Sequence, residues 1–113
     1  MATTSQLHKA EWQHYFDRIA RGLTGKRAEI DVESLDLGSQ VEAEWLTLLG
    51  MSYEPRTDIL SVMLEGLNHL IRHPTAVFVE VDFGQLVSVA VTDNDHVRHI
   101  VKLRDPLSLP GAG

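Results

Sequence analysis

The side chains in this sequence whose types and spacing could support chemistry are concentrated between Glu65 and His73. Glu65, His69 and His73 are four residues apart, so on an α-helix they would share one face, as the ligands of a metal ion often do. Binding of a metal ion by two imidazoles and a carboxylate is the chemistry that this spacing would support. The hypothesis requires a helix that continues from Glu65 to His73.

The neighbouring residues disfavour that helix. Gly66 costs a helix about 1 kcal/mol relative to alanine, and Pro74 biases the residue before it away from helical geometry. A zinc-protease motif would place a glutamate directly after the first histidine, where this sequence has Leu70. We therefore expect no metal and no cofactor, and we interpret Leu67–Pro74 as a connector in which His69 is hydrogen-bonded to backbone.

Two histidines, His69 and His99, are the candidates for ligand binding. His99 lies on the apolar face of the last expected strand, where a histidine is most often a hydrogen-bonded core residue. A pocket beneath the connector, lined by His69 and His99, would instead make the protein a small-molecule- or metal-binding protein or an enzyme. The stretch Asp93–His96 is similar to the start of a calcium loop, but it lacks the glycine and glutamate that follow at positions 6 and 12, which favours a turn.

The composition excludes several classes of protein. The 113 residues include no cysteine, which rules out disulfides, thiolate catalysis and cysteine-bound zinc. Residues 1–27 have a net charge of +3, residues 28–65 of −8 and residues 66–113 of −1. Nucleic acid is therefore not expected as a partner, because its phosphates require a basic surface. The sequence also has no apolar segment of the length that crosses a membrane.

The elements that must position these side chains begin with a helix. Trp12, Phe16, Ile19 and Leu23 recur at the spacing of one apolar stripe, which predicts a helix over about residues 8–22. The chain is expected to form a single domain over residues 1–113, with residues 1–6 and 107–113 frayed.

After the helix the period of the sequence changes from 3.6 to 2. Short alternating runs separated by turn residues predict six or seven antiparallel strands, and the fold class is α+β. In the second run, "VEAEWLTLL", the alternation places Trp45 on the inner face. Gly50 interrupts an apolar run, which indicates a bulge or sharp bend.

The outward charges of the first and last strands are complementary. The stretch "AEIDVES" carries Glu29, Asp31 and Glu33 on its outward face. The stretch "VRHIVKLR" carries Arg98, Lys102 and Arg104 on its own outward face. Pairing of the two strands would place bases opposite acids and would remove two exposed sheet edges. We therefore expect a strongly bent or barrel-like sheet in which these two strands are neighbours.

Several stretches together resemble a bacterial family of small proteins catalogued as a domain of unknown function. They are "EWQHYFDRIARGLTG", "EIDVESLDLGSQVEAEWLTLLG", "HLIRHPTAVFVE" and "VKLRDP", and the resemblance extends from about residue 5 to 107. It implies a bacterial, cytoplasmic protein. The family's pattern around His69 and Pro74 does not require a histidine at the place of His73. The resemblance provides no catalytic residue and no cofactor.

The function that these observations favour is a small non-enzymatic binding or assembly module. The expected partner is a second copy, as a homodimer, or another protein. The segregation of charge into a basic helix and an acidic hairpin would allow two-fold electrostatic pairing, in which each patch meets the other twice.

Overall fold

Residues 2–105 are described by a computed structural model, in which one helix is combined with eight strands. A short 3₁₀ helix, Lys9–Glu11, precedes the α-helix. The elements are β1 (Thr3–Leu7), α1 (Trp12–Leu23), β2 (Arg27–Ser34), β3 (Gly38–Glu54), β4 (Ile59–Leu64), β5 (Leu67–Arg72), β6 (Pro74–Asp82), β7 (Gln85–Asp93) and β8 (Arg98–Arg104). No helix in this part of the chain is long and apolar enough to cross a membrane.

All eight strands belong to one antiparallel sheet in the order β1-β6-β7-β8-β2-β3-β4-β5. The α+β class is thus confirmed, but the sheet is open, since β1 and β5 are its two ends and do not pair. Of the strongly bent or barrel-like sheet that was expected, the barrel form is therefore not found, and the count of six or seven strands is wrong. The strands not expected are β5, which was interpreted as a connector but pairs with β4 along its length, and β1. The latter is a polar segment whose side chains are mostly exposed and which is held by backbone pairing to β6.

Residues 1–6 were expected to fray, yet Thr3–Leu7 forms β1. The backbone partners of this strand run from Thr3 opposite Val81 to Leu7 opposite Val77. The indole N–H of Trp12 donates to the carbonyl of Leu7 at 3.1 Å, which ties the strand to the helix. The second expected frayed segment, residues 107–113, lies outside the described residues.

The predicted neighbourhood of the first and last alternating strands is confirmed, since β2 pairs with β8 along its length. Glu29 lies opposite Lys102 in this ladder, and Asp31 lies opposite Ile100. The Lys102 ammonium contacts Asp31 at 2.7 Å and Glu29 at 3.5 Å. One lysine therefore neutralises two of the three acids on the outer face of β2.

The sheet is strongly curled rather than flat. Four strand spacings separate β5 from β8, which would be about 19 Å in a flat sheet, but the rings of His69 on β5 and His99 on β8 are within 2.9 Å. The long strand β3 provides the bend through register shifts at three places. Two are against β2, between Val41 and Ala43 and between Ala43 and Leu46, and the third is against β4, between Leu48 and Gly50. The bulge expected at Gly50 is confirmed.

The inward position expected for Trp45 is wrong, because the bulge between Ala43 and Leu46 reverses the alternation there. Trp45 has a positive φ of 51°, and its ring is half-buried outside the core. The guanidinium of Arg104 lies 3.9 Å from the ring centroid, and Arg27 donates to the Trp45 carbonyl at 3.1 Å. The neighbouring Leu46 packs against the core instead.

The helix covers the core as its apolar stripe predicted. Trp12, Phe16 and Leu23 are buried and Ile19 is partly buried. The ring of Trp12 packs edge-on against Tyr53 of β3, with 5.1 Å between centroids. The regular helix begins at Trp12 rather than near residue 8, since the preceding turn is 3₁₀. Helix and sheet thus bury one continuous core.

Candidate functional sites

The two histidines selected from the sequence lie together and form a hydrogen-bonded chain with an aspartate. His69 Nε2 is 2.9 Å from His99 Nδ1, and His99 Nε2 is 3.0 Å from Asp93 Oδ2. The three residues come from β5, β8 and β7, so the curl of the sheet brings them together. The side chains of His99 and Asp93 are 10% and 13% exposed. We call these three residues the histidine chain.

The ionised state of Asp93 determines which nitrogen atoms donate and which accept in these hydrogen bonds. Burial alone would raise the pKa of Asp93, but hydrogen bonds from His99 and from the backbone N–H groups of Val97 and Asp95 outweigh it and lower that pKa. The ionised carboxylate accepts from His99 Nε2–H, which leaves His99 Nδ1 as the acceptor for His69 Nε2–H. The remaining basic atom is Nδ1 of His69.

The buried position of His69 disfavours its protonation. Burial, followed by the charge of His99, lowers the pKa of His69, with Glu42 acting in the opposite direction. A proton can be placed on His69 Nδ1 without breaking either hydrogen bond. Only one of the two facing nitrogens can carry a proton, since two N–H groups would otherwise be set against each other. The geometry is therefore sensitive to pH in the range where histidine titrates.

His69 and His99 were identified from the sequence as candidates, whereas Asp93 was not. Asp93 was interpreted as the start of a turn, which is also correct, because its Oδ1 accepts from the backbone N–H groups of Asp95 and Val97. The alternation of the strand could have identified Asp93 as an inward-facing residue. Val89 and Val91 of the same strand are buried, and Asp93 is the next residue on that face. The expected bond of His69 to backbone is replaced by the bond to His99.

The three candidate metal ligands are not brought together as a helix would bring them. Glu65 is in the turn between β4 and β5, His69 is within β5, and His73 follows that strand. In extended chain His69 and His73 are separated by about 13 Å of backbone. Between residues 2 and 105 there is no group of three or more histidine, aspartate or glutamate side chains that could hold a metal ion.

His73 belongs to a second polar cluster, centred on Asp58. The Asp58 carboxylate accepts from the Tyr53 hydroxyl at 2.6 Å, from His73 Nδ1 at 3.2 Å and from Lys9 at 3.5 Å. The bond from Tyr53 is the main reason that the pKa of Asp58 is lowered, although burial opposes it. Burial, and then the bond to Asp58, raise the pKa of Tyr53 to about 12. Asp58 is thus occupied as a structural acceptor.

A cavity of about 510 Å³ lies where β5 leads into β6, next to the Asp58 cluster. Its lining residues are Lys9, Asp58, His73, Pro74, Thr75 and Asn94. The pocket expected at the connector was to be lined by His69 and His99, and neither is among these residues. No hydroxyl group in the described part of the chain is hydrogen-bonded to either ring of the histidine chain, so no activated nucleophile is seen there.

A larger cavity, of about 550 Å³, lies on the outer face of β6, β7 and β8. Its floor is a row of cross-strand neighbours, with Phe78 opposite Ala90 and Ala90 opposite Ile100. Its rim carries Glu80, Arg98 and Lys102. We call this feature the outer groove.

A third feature is the free edge of the sheet along β5. This strand pairs only with β4. The β4–β5 hairpin closes with Leu64 opposite Leu67, so residues of odd number in β5 direct their N–H and C=O groups to β4. Asn68, Leu70 and Arg72 direct theirs to the open side. Leu70 is 45% exposed.

Comparison with known proteins identifies a family that matches this chain. Residues 3–112 match the family model DUF5335, described as a family of unknown function. The chain is also 32% identical over 108 residues to an uncharacterised protein from Aquifex aeolicus (strain VF5), covering 95% of this chain and 97% of the relative. No solved structure matches the chain.

Proposed function

We propose that this chain, which belongs to the DUF5335 family of unknown function, is a non-enzymatic assembly module that pairs with a second copy of itself along β5. The observation that carries the proposal is the open edge of β5. Natural proteins protect such edges with lysine, proline, a bulge or a covering element. β5 contains no lysine and no proline, and its register against β4 has no bulge.

The edge of β5 is self-complementary under two-fold symmetry. If Leu70 pairs with its own copy, Asn68 falls opposite Arg72 and Arg72 opposite Asn68. These are the residues whose backbone groups face the open side, so the three pairs would supply six hydrogen bonds in register. The exposed Leu70 side chains would meet across the axis, and no like charges would be directly opposed.

The other free edge is less suited to this role. β1 reads "TTSQL" and presents four exposed polar residues, whereas the exposed face of β5 offers a leucine. Electrostatic pairing of the basic helix with the acidic hairpin also loses part of its basis, because Lys102 already neutralises Glu29 and Asp31 within one chain. Edge pairing therefore replaces charge pairing in the proposed homodimer.

Native mass spectrometry and sedimentation on untagged protein test this proposal. We expect a species of twice the 12.6 kDa chain mass, which persists when salt is raised from about 0.05 to 0.5 M because hydrogen bonds and leucine contact hold it. Leu70→Lys should give monomer, since two lysines would face each other across the axis.

Leu35→Lys is the matched control, because Leu35 is a fully exposed leucine in the β2–β3 turn, and this variant should remain dimeric. A wild-type monomer at the highest usable concentration would reject edge pairing. A dimer that dissociates with salt but tolerates Leu70→Lys would restore the electrostatic interface.

A second candidate function is binding of a small molecule at the histidine chain, and the hydrogen-bonded pair of rings is the observation that favours it. His99 donates its Nε2–H to the Asp93 carboxylate and accepts from His69, which leaves His69 Nδ1 as the basic atom open to a ligand. The same native mass spectrum distinguishes the two candidates. A mass above an integer multiple of the chain mass, lost in His69→Gln, would favour the second.

A cytoplasmic location completes the proposal and rests on the family resemblance. Fractionation of cells that make the untagged chain from its own gene would test it. Recovery in the cytosolic fraction is expected, and recovery with the envelope would contradict it.

A further inference from the structure

We propose that the outer groove is a binding site for a small organic anion with an apolar body. The site lies on β6, β7 and β8, away from the β5 edge, and does not depend on assembly. Three properties of the groove carry the inference: its size, its apolar floor and the cations on its rim.

The size of the groove matches a small molecule. At about 550 Å³ it falls within the range of known ligand sites, about 300–1,000 Å³. The outer face of a half-exposed sheet is ordinarily polar, but here the middle row reads Phe78, Ala90 and Ile100. Ala90 is small, so the floor is lowest between two larger apolar side chains. An apolar ligand body would cover all three.

The rim of the groove supplies a cation for an anionic group. Arg98 lies opposite Glu33 in the β2–β8 ladder, yet its guanidinium makes no ion pair or hydrogen bond with any residue from 2 to 105. Lys102 stands on the same strand but is engaged by Asp31 and Glu29. Glu80, the acid on the rim, accepts from Ser88 at 3.0 Å. Arg98 is therefore the cation available to a ligand.

The surrounding charge favours a compact ligand. The chain as a whole has a net charge of −6, and β2 adds Glu29, Asp31 and Glu33 beside the groove. A polyanion would extend beyond Arg98 and Lys102 and meet these acids, whereas a single carboxylate, sulfonate or phosphate on an apolar body would not. Fatty acids and aromatic carboxylates have this chemistry.

The test uses the fluorescent probe 8-anilinonaphthalene-1-sulfonate, which has an aromatic body and one sulfonate, titrated into the full chain. We expect saturable binding of one probe per chain, displaced by decanoate. Arg98→Gln should weaken binding about tenfold, the effect of losing a charge-assisted hydrogen bond. Ile100→Thr keeps the β-branch and should weaken binding about threefold by reducing the apolar floor.

Arg56→Gln is the matched control, because it removes the same charge from an exposed turn between β3 and β4 and should leave binding unchanged. The uncharged probe N-phenyl-1-naphthylamine should bind more weakly than the sulfonate and should not respond to Arg98→Gln. Leu70→Lys should bind the sulfonate as the wild type does. Equal binding by the wild type, Arg98→Gln and Ile100→Thr would overturn the proposal, and so would equal affinity for the two probes.

Discussion

At the scale of single residues, the clearest device is the histidine chain of His69, His99 and Asp93. Its two hydrogen bonds connect β5, a strand at one end of the sheet, to β7 and β8 in its interior. The bond between the two rings requires one donor and one acceptor nitrogen. Burial opposes a charge on His69 and lowers its pKa. The attachment of β5 is therefore coupled to pH.

The first prediction concerns this coupling and the free energy of unfolding. The folded-state pKa of His69 is lowered from its ordinary 6.5, so below that pH the unfolded state binds the proton more readily. Stability is fully present above about pH 6.5 and falls as pH decreases through the folded pKa. The lowered pKa values of Asp58 and Asp93 add a separate loss below their ordinary 3.8.

Urea unfolding between about pH 7.5 and 5 checks the sign. His69→Gln should be less stable than the wild type at pH 7.5 and should lose less stability on acidification, since the titrating group is gone. His14→Gln, which alters an exposed histidine of α1, should keep the wild-type slope. Parallel pH profiles for His69→Gln and the wild type would show that the stability loss comes from other groups.

At the scale of elements, the loop of the β6–β7 hairpin has an unusual backbone conformation. The β6–β7 hairpin is closed by Asp82 opposite Gln85, and both residues of its two-residue loop have positive φ, 50° at Phe83 and 75° at Gly84. Such a loop favours asparagine followed by glycine. Phe83 is therefore in a backbone conformation that a bulky residue rarely adopts, and its side chain is 88% exposed.

Phe83→Asn should stabilise the protein by about 0.5–1 kcal/mol, because it relieves backbone strain and exchanges little buried surface. Urea unfolding at neutral pH measures the change. Phe83→Leu is the control, since leucine gains no preference for positive φ and should leave stability near that of the wild type. A destabilised Phe83→Asn would mean that the phenyl ring has a contact that its exposure conceals.

At the scale of the whole molecule, the junction between β2 and β8 unites the two parts of the sheet. On one side of this junction the sheet continues from β8 through β7 and β6 to β1. On the other side it continues from β2 through β3 and β4 to β5. Asp31 is 8% exposed, its Oδ2 contacts Lys102, and its Oδ1 has no hydrogen-bond partner. The junction therefore contains a nearly buried acid that depends on one lysine.

Lys102→Gln should destabilise the fold by about 1–2 kcal/mol, since it leaves Asp31 without a counter-charge in a nearly buried position. Asp31→Asn combined with Lys102→Gln should cost less than the sum of the single changes. A double-mutant cycle from urea unfolding measures the coupling. Additive single and double variants would mean that the ion pair is screened by solvent and that backbone pairing alone holds the junction.

The sequence by itself determined the features that depend on neighbours along the chain. The apolar stripe of α1, the alternation of most strands and the β6–β7 hairpin follow from periods of 3.6 and 2. The β2–β8 pairing was also predictable, because complementary charges on two strands indicate that they pair even when the strands are distant in sequence. The bulge at Gly50 was visible as a glycine within an apolar run.

Only the tertiary structure decided the rest. β1 has no alternating pattern and is a strand because β6 offers it a backbone partner. Trp45 lies outside the core because an extra, unpaired residue in β3 reverses which side chains of that strand face inward. Asp93 joins His69 and His99 because the sheet curls and does not close. Each of these depends on contacts between residues distant in sequence, where the local period carries no information about the partner.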